Sequence, residues 1–340
     1  MSSVTLTYED GTIQVAGAPA TPLPGVETDA RSETGRAPAH RYREIRDALR
    51  ERGHDVDDRV LGHPSLPPLD SGYTLREYQQ NALDAWKANG RRGVLELPTG
   101  SGKTVIALAA IAAAATPALV VVPTVDLLEQ WHRELSAIFK LPVGRLGGGD
   151  QTVEALTVAT YDSTYLRADE LGDRFGLLAF DEAHHLGGEG YQDIARLFAA
   201  PARLGLTATF ERPDGAHEAV ADLIGPVVYE LDPDDLAGEH LAEYEVRRIE
   251  VELTADERER YEAAQGTFVG YVRDAGIRFT SGSDYQELVK RSGNDPRARE
   301  ALLAKQRARE VMMNADAKLD CLGRILDRHR DERVIVFTAH

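Results

Sequence analysis

Lysine is nearly missing from this chain. Six of its 39 basic residues are Lys and the rest are Arg, against 56 Asp and Glu, for a formal charge of −17. That balance excludes a protein that holds nucleic acid by global attraction and leaves the task to specific contacts and local basic patches. Acidic excess with little Lys and 6% aromatic residues reads as adaptation to a very salty, halophilic cytoplasm. Counterion release adds little affinity in such a medium. Cysteine is also scarce: Cys321 stands alone, which excludes an internal disulfide framework and fits a reducing, cytoplasmic setting. Long apolar runs are absent. The longest, 105–122, is mostly Ala and is broken by Thr116-Pro117, so it reads as a buried helix and strand, with no membrane span. No basic region followed by an apolar core opens the chain, so no secretion signal is read.

What remains is an ordinary globular composition, 42% hydrophobic and 28% charged over 340 residues, enough for two or three separate cores. Polarity alternates over 4–8 and 12–16 around Glu9-Asp10-Gly11, which predicts a β-hairpin with a Gly turn. Residues 17–38 are rich in Pro, Gly, Ala and charge and read as loop. Tyr42, Ile45 and Leu49 fall at helical spacing, so 1–63 forms a small β+α module ahead of a Pro-containing connector. Over 64–235, apolar strands at 94–97, 118–122, 156–160, 177–180 and 204–207 alternate with helices at 103–115 and 125–139. This predicts an α/β fold, a parallel sheet with helices on both faces and ligands at the strands' carboxyl ends. A strand at 246–253, polar helical sequence over 254–314 broken near Gly282, and an amphipathic helix at 318–330 follow. In that last helix Leu319, Leu322, Ile325 and Leu326 are expected to face inward, and a strand at 334–338 closes the chain.

Thr99-Gly100-Ser101-Gly102-Lys103-Thr104 stands between the strand at 94–97 and the Ala-rich helix. A strand, a Gly-containing turn and a helix start form a phosphate cradle, because backbone N–H groups and the helix dipole converge on an anion. Lys103 is expected to reach the β- and γ-phosphates of a nucleoside triphosphate, and Thr104 to hold Mg²⁺. The full phosphate-loop pattern asks for Gly at 97, where this chain has Leu97. Asp181-Glu182-Ala183-His184-His185 follows the strand at 177–180. Asp181 is expected to anchor the metal, Glu182 to act as general base and His184 to relay the state of the γ-phosphate. The two His lack a third ligand at zinc spacing.

Weaker signals share the strand ends. Gln79, with Arg76 or Tyr78 beside it, suits an adenine edge, or equally the polar face of a helix start. Thr124 and Thr160 place hydroxyls where a nucleic-acid backbone could pass, although Thr also starts turns. Thr207 and Thr209 are expected to link the acidic pair to that path. Between 290 and 309, seven basic residues face two acidic ones, a net +5 that suits phosphate or a solvated helix face.

Taken together, these segments resemble the motifs of superfamily 2 helicases, in particular the archaeal XPB-type DNA-repair helicases of DEAH-like box. The likeness runs through Thr-Gly-Ser-Gly-Lys-Thr, 121–124, 157–163, Asp-Glu-Ala-His-His and 205–212. It implies a RecA-like ATP-binding domain at 64–235 and a damage-recognition-like module at 1–63, the latter through Asp29-Ala30-Arg31-Ser32 and Arg41-Tyr42-Arg43. It further implies a thumb-like insertion at 236–314 and the beginning of a second RecA-like lobe at 315–340. The implied activity is ATP- and Mg²⁺-dependent 3′→5′ unwinding or translocation on double-stranded or forked DNA in repair, with Arg212 in an unwinding element. That element reads Arg-Glu-Asp in the family and Arg212-Pro213-Asp214 here; Pro removes an acid and a backbone donor. Because 340 residues reach only the first strand of the second lobe, the chain is expected to be truncated or split. The missing lobe, or a nuclease partner, would then come from a separate chain. Two other classes fit the same residues: an ATP- and DNA-binding module without effective turnover, and the motor subunit of a restriction enzyme.

Overall fold

In the computed structural model, which describes residues 3–17, 22–29, 34–62, 66–188, 190–212, 215–232, 235, 247–277 and 288–338, the N-terminal hairpin forms as the alternation requires. Strand β1 (Val4–Glu9) pairs antiparallel with β2 (Thr12–Ala16) across Asp10 and Gly11, at φ 44° and 77°. Within 17–38, read as loop from its composition, described residues form the strands β3 (Glu27–Asp29) and β4 (Thr34–Pro38), and β4 pairs with β2. Pairing with an existing hairpin overrides the poor intrinsic strand preference of Gly and Pro. Helix α1 (Tyr42–Glu51) buries Tyr42, Ile45 and Leu49, and β5 (Val56–Arg59) adds beside β1 in parallel. The five strands run in the order β3-β4-β2-β1-β5.

Helix α2 (Glu77–Ala88) leads into β6 (Arg92–Glu96), α3 (Lys103–Ala114), β7 (Ala118–Val122), α4 (Val125–Phe139), β8 (Val143–Gly147) and β9 (Asp150–Gln151). Then come β10 (Leu156–Thr160), α5 (Tyr161–Tyr165), α6 (Ala168–Leu171), β11 (Leu177–Asp181), α7 (Gln192–Leu197), β12 (Ala202–Thr207), α8 (Ala216–Ile224) and β13 (Val227–Glu230). The eight strands are ordered β13-β6-β12-β11-β7-β10-β8-β9, all parallel except β9 against β8. Period-two alternation splits their side chains between two cores. Leu95, Val120, Val158, Ala179 and Leu204 pack with Trp86, Ile111 and Trp131 from α2, α3 and α4. Val94, Val121, Ala159, Phe180 and Leu178 pack with Tyr161, Ile194 and Val220 from α5, α7 and α8. The sheet is therefore covered on both faces.

The chain divides into two units, Met1–Tyr244 and Glu245–His340. Within the first, Tyr8 ties the small module to the larger sheet domain, its hydroxyl donating to the carbonyls of Asp169 (2.7 Å) and Leu197 (3.1 Å). In the second, helices Ala255–Asp274 and Pro296–Met313 pack through Phe268, Leu288, Ala298 and Ala301. Two expectations fail there. Residues 247–253 and 334–338 belong to no strand, since no described neighbour offers them a ladder. The helix Asp316–Arg328 forms, but Leu319, Ile325 and Leu326 are exposed, because no described element covers that face. Gly282, Ala30, Arg31, Ser32, Pro213 and Asp214 lie outside the described residues. Among the described residues no helix is long and apolar enough to cross a membrane.

Candidate active site

A parallel sheet points the carboxyl ends of its strands the same way, so residues far apart in sequence meet on one edge. Outward from β6 the order is β12, β11, β7, β10. The loop at 97–102 follows β6, Thr207 closes β12, Asp181 closes β11, Thr124 follows β7 and Thr160 closes β10. Thr207 is thus seated between the phosphate loop and the acidic pair.

Gly100 and Gly102 take left-handed backbone, φ 83° and 81°. At Gly102 a Cβ would also lie 2.6 Å from Gln79 Nε2, so both conformation and space demand Gly. Gly102 caps α3, whose first N–H groups open onto the loop. Lys103 Nζ donates to the carbonyls of Leu97 (2.9 Å) and Pro98 (3.3 Å). Burial lowers its pKa, while the charges of Glu182 and Asp181 pull it back up; the ammonium and the acidic pair share one field. Thr104, on the first turn of α3, is partly buried and Thr99 is exposed. The Ser101 hydroxyl is buried with no partner among the described residues, a polar atom available to a ligand.

Gln79 and Tyr78 hold the loop. The Ser101 carbonyl accepts from Tyr78 OH at 2.7 Å and from Gln79 Nε2 at 3.0 Å, and Gln79 Oε1 accepts from Arg76 N at 3.0 Å. The polar start of α2 and the loop at 97–102 are therefore joined by hydrogen bonds. With 5% exposure and both ends of its amide engaged, Gln79 faces the loop more than open space. Arg76 Nη1 donates to Tyr78 OH at 3.3 Å.

Asp181 accepts from Trp131 Nε1 at 2.8 Å and from Glu182 N at 3.1 Å, and Tyr161 OH donates to its carbonyl at 3.1 Å. Burial pushes the Asp181 carboxyl up; the Trp131 bond opposes this and the Glu182 charge adds to it. Glu182 occupies left-handed backbone at φ 49°, a cost for a residue with a Cβ, and its side chain stays a third exposed. His184 Nδ1 lies 3.0 Å from Thr207 Oγ1 and 3.4 Å from Glu182 Oε2. Thr207 Oγ1 donates to the Thr209 carbonyl (2.9 Å) and accepts from Thr209 N (3.2 Å), which assigns the Nδ1 proton to His184. Burial lowers the His184 pKa, with the His185 and Arg212 charges adding to it and the Glu182 charge opposing. Arg212 Nη1 donates to the His184 carbonyl at 2.9 Å.

The structure thus brings Lys103, Asp181, Glu182, His184, Thr207, Thr209 and Arg212 into one connected array. Thr124 and Thr160 also start helices: their hydroxyls cap α4 and α5, accepting from Leu127 N and Ser163 N, both at 3.3 Å. A helix start must satisfy its free N–H groups, and these hydroxyls do so. Thr160 is buried, whereas Thr124 remains exposed. Sequence reasoning missed Trp131, Tyr161 and Glu96, whose Oε1 accepts from Phe210 N at 3.1 Å. Trp131 reads as a core residue, and no local pattern announces its N–H. Tyr161, directly after a strand end, carried a usable signal.

Residues 6–60 match the family described as the Xeroderma pigmentosum group B helicase damage recognition domain, and residues 72–212 match the type III restriction enzyme res subunit. The chain is 39% identical over 315 residues to the DNA 3'-5' translocase XPB2 of Sulfurisphaera tokodaii, covering 93% of this chain and 72% of that protein. It is 37% identical over 192 residues to the Haloarcula marismortui putative DNA 3'-5' helicase Rad25, covering 54% of this chain and 31% of that one. With the Mycobacterium tuberculosis DNA 3'-5' helicase XPB the identity is 35% over 206 residues, 57% of this chain and 37% of the relative. The chain therefore spans most of the first relative and about a third of the other two.

Proposed function

Because the chain belongs to the XPB family of superfamily 2 helicases, ATP-hydrolysing enzymes that act on DNA, we propose that residues 64–235 are its ATPase lobe, driving translocation on double-stranded or forked DNA. The backbone N–H groups of Thr99 to Gly102 cradle the phosphates and Lys103 neutralises the β- and γ-phosphates. Thr104 and Asp181 are the residues that would hold Mg²⁺, whose chemistry is to neutralise charge on the transferred phosphoryl group. Glu182 takes a proton from the attacking water as its oxygen bonds the γ-phosphorus and the bond to ADP breaks. Gln79 and Arg76 keep the loop shaped on the side where the nucleobase is bound. His184, Thr207, Thr209 and Arg212 pass the change toward DNA, with Thr124 and Thr160 at the strand ends beside its path. Residues 1–63 act as the damage-recognition module, 236–314 as the thumb-like insertion and 315–340 as the start of a second lobe. A reducing cytoplasm is the setting, and repair the process.

One observation carries this reading: the sheet order β6-β12-β11 sets Lys103, at the start of α3, and Asp181-Glu182, at the end of β11, on one edge although they are almost 80 residues apart in the chain. Single-turnover ATP hydrolysis with and without duplex DNA tests it. We expect turnover that duplex DNA stimulates and that Lys103→Ala abolishes. Calorimetry showing no adenine-nucleotide binding with Mg²⁺ present overturns the reading. The match of 72–212 to a restriction subunit supports a second one, a motor for a nuclease partner. Loss of a partner's DNA cleavage on Lys103→Ala would favour it.

A further inference from the structure

On the sheet edge opposite the loop at 97–102, the small module and the sheet domain form an open cavity of about 430 Å³. Arg43 and Arg46 of α1, together with Lys87 and Arg91 from the end of α2 and its turn into β6, line it, and among the described residues no carboxylate does. Four cations around one concavity is a marked local excess in a chain of net charge −17. Part of that charge is already engaged. Asp47 pairs with Arg46 at 2.8 Å and with Arg43 at 3.5 Å, and the exposed Lys87–Asp84 pair lies at 3.4 Å. Arg43 also donates to the Gly90 carbonyl, and Arg46 lies over the Tyr42 ring.

The groups behind the cavity register the same field. Arg92 is pushed down by burial first and then by the charges of Arg43 and Arg41, and the buried Arg203 by burial and then by Arg92. Arg91 adds a separate sign. It is an exposed residue held in left-handed backbone at φ 63°, a conformation Gly or Asn adopts at less cost. A turn selected only for its shape has no need of an arginine there.

We propose that this cavity is a second DNA contact, in which Arg43, Arg46, Lys87 and Arg91 take the phosphates of a nucleic-acid backbone on the side of the sheet away from the ATPase site. It rests on the reading of the chain as a DNA motor. A strand held there touches module and lobe together, so DNA engaged by the N-terminal module is fastened directly to the body that hydrolyses ATP.

The test is the salt dependence of duplex binding, by fluorescence anisotropy of a labelled oligonucleotide, for the parent and for Lys87→Gln/Arg91→Asn. Both positions are at the surface, and Asn tolerates the backbone at 91, so the melting temperature checks the fold. Removing two phosphate contacts lowers the slope of log affinity against log salt by about 1.8 and weakens binding at low salt by about tenfold or more. Nucleotide affinity should not change. A parent that binds DNA and a variant with the same slope overturn the proposal, leaving these cations as partners of the α2 and α3 carboxyl ends. Millimolar inorganic phosphate erasing the difference at fixed ionic strength also overturns it, as a small-anion site. A parent that binds neither DNA nor ATP would instead sink the motor reading itself.

Discussion

Tyr78 and Gln79 donate to the same buried carbonyl, that of Ser101, and this makes a double-mutant cycle informative. In Tyr78→Phe the carbonyl keeps the Gln79 bond, and in Gln79→Ala it keeps the Tyr78 bond. Tyr78→Phe should cost about 0.5–1.5 kcal/mol, the net value of one hydrogen bond, and Gln79→Ala about twice that, because it also removes the acceptor of Arg76 N. In the double variant the carbonyl keeps neither, inside a residue only 1% exposed. An unmet buried acceptor adds a penalty of about 1–3 kcal/mol, so the double loss should exceed the sum of the singles by about 1 kcal/mol or more. Because this carbonyl belongs to the nucleotide loop, the same coupling should appear in nucleotide affinity, where 1.4 kcal/mol is about tenfold. The assays are urea unfolding without nucleotide and titration of a fluorescent ATP analogue. Strict additivity in both, or an unchanged affinity in the double variant, would show that these side chains do not shape the loop.

Glu182→Gln should bind ATP as the parent does and lose at least about a hundredfold in single-turnover hydrolysis, as expected when a general base is removed; retained turnover would place the base elsewhere. Arg203 is fully buried and donates to the carbonyls of Ala200, Ala195, Leu223 and Phe198. Arg203→Met relieves a buried charge but orphans three of those carbonyls, Leu223 still accepting from Arg92 at 2.6 Å. A net loss of about 3–5 kcal/mol is expected on denaturant unfolding, and a loss below about 1 kcal/mol would contradict that ledger. His40, at the junction of module and sheet domain, is pushed down to about 4 by burial, with Arg203 and Arg41 adding to it. Its folded pKa lies below its unfolded one, so the unfolded chain binds more protons between them. Stability should fall as pH drops from about 6.5 to about 4, and His40→Gln should flatten that dependence in pH-resolved melting curves.

The order of elements between 94 and 207 was legible because apolar strands and amphipathic helices differ in period, and each period is a local property. The glycine-containing turn into α3 and the place of Asp181-Glu182 at a strand end were legible for the same reason, since each is written in adjacent residues. By contrast, β3 and β4 were invisible: Gly35 and Pro38 argue against a strand until β2 offers a partner. The apolar face at 319–326 was read correctly as a pattern and wrongly as buried, because a pattern does not supply the surface that covers it.

By itself the sequence determined which residues could bind a triphosphate and in what order the strands and helices come. Only the tertiary structure decided that Trp131 donates to Asp181, that Gln79 grips Ser101, and that four cations meet at the sheet edge opposite the loop. Those are distances across 20 to 50 residues of intervening chain, or between separate sheets. They are fixed by sheet order and packing, about which no window of neighbouring residues carries information.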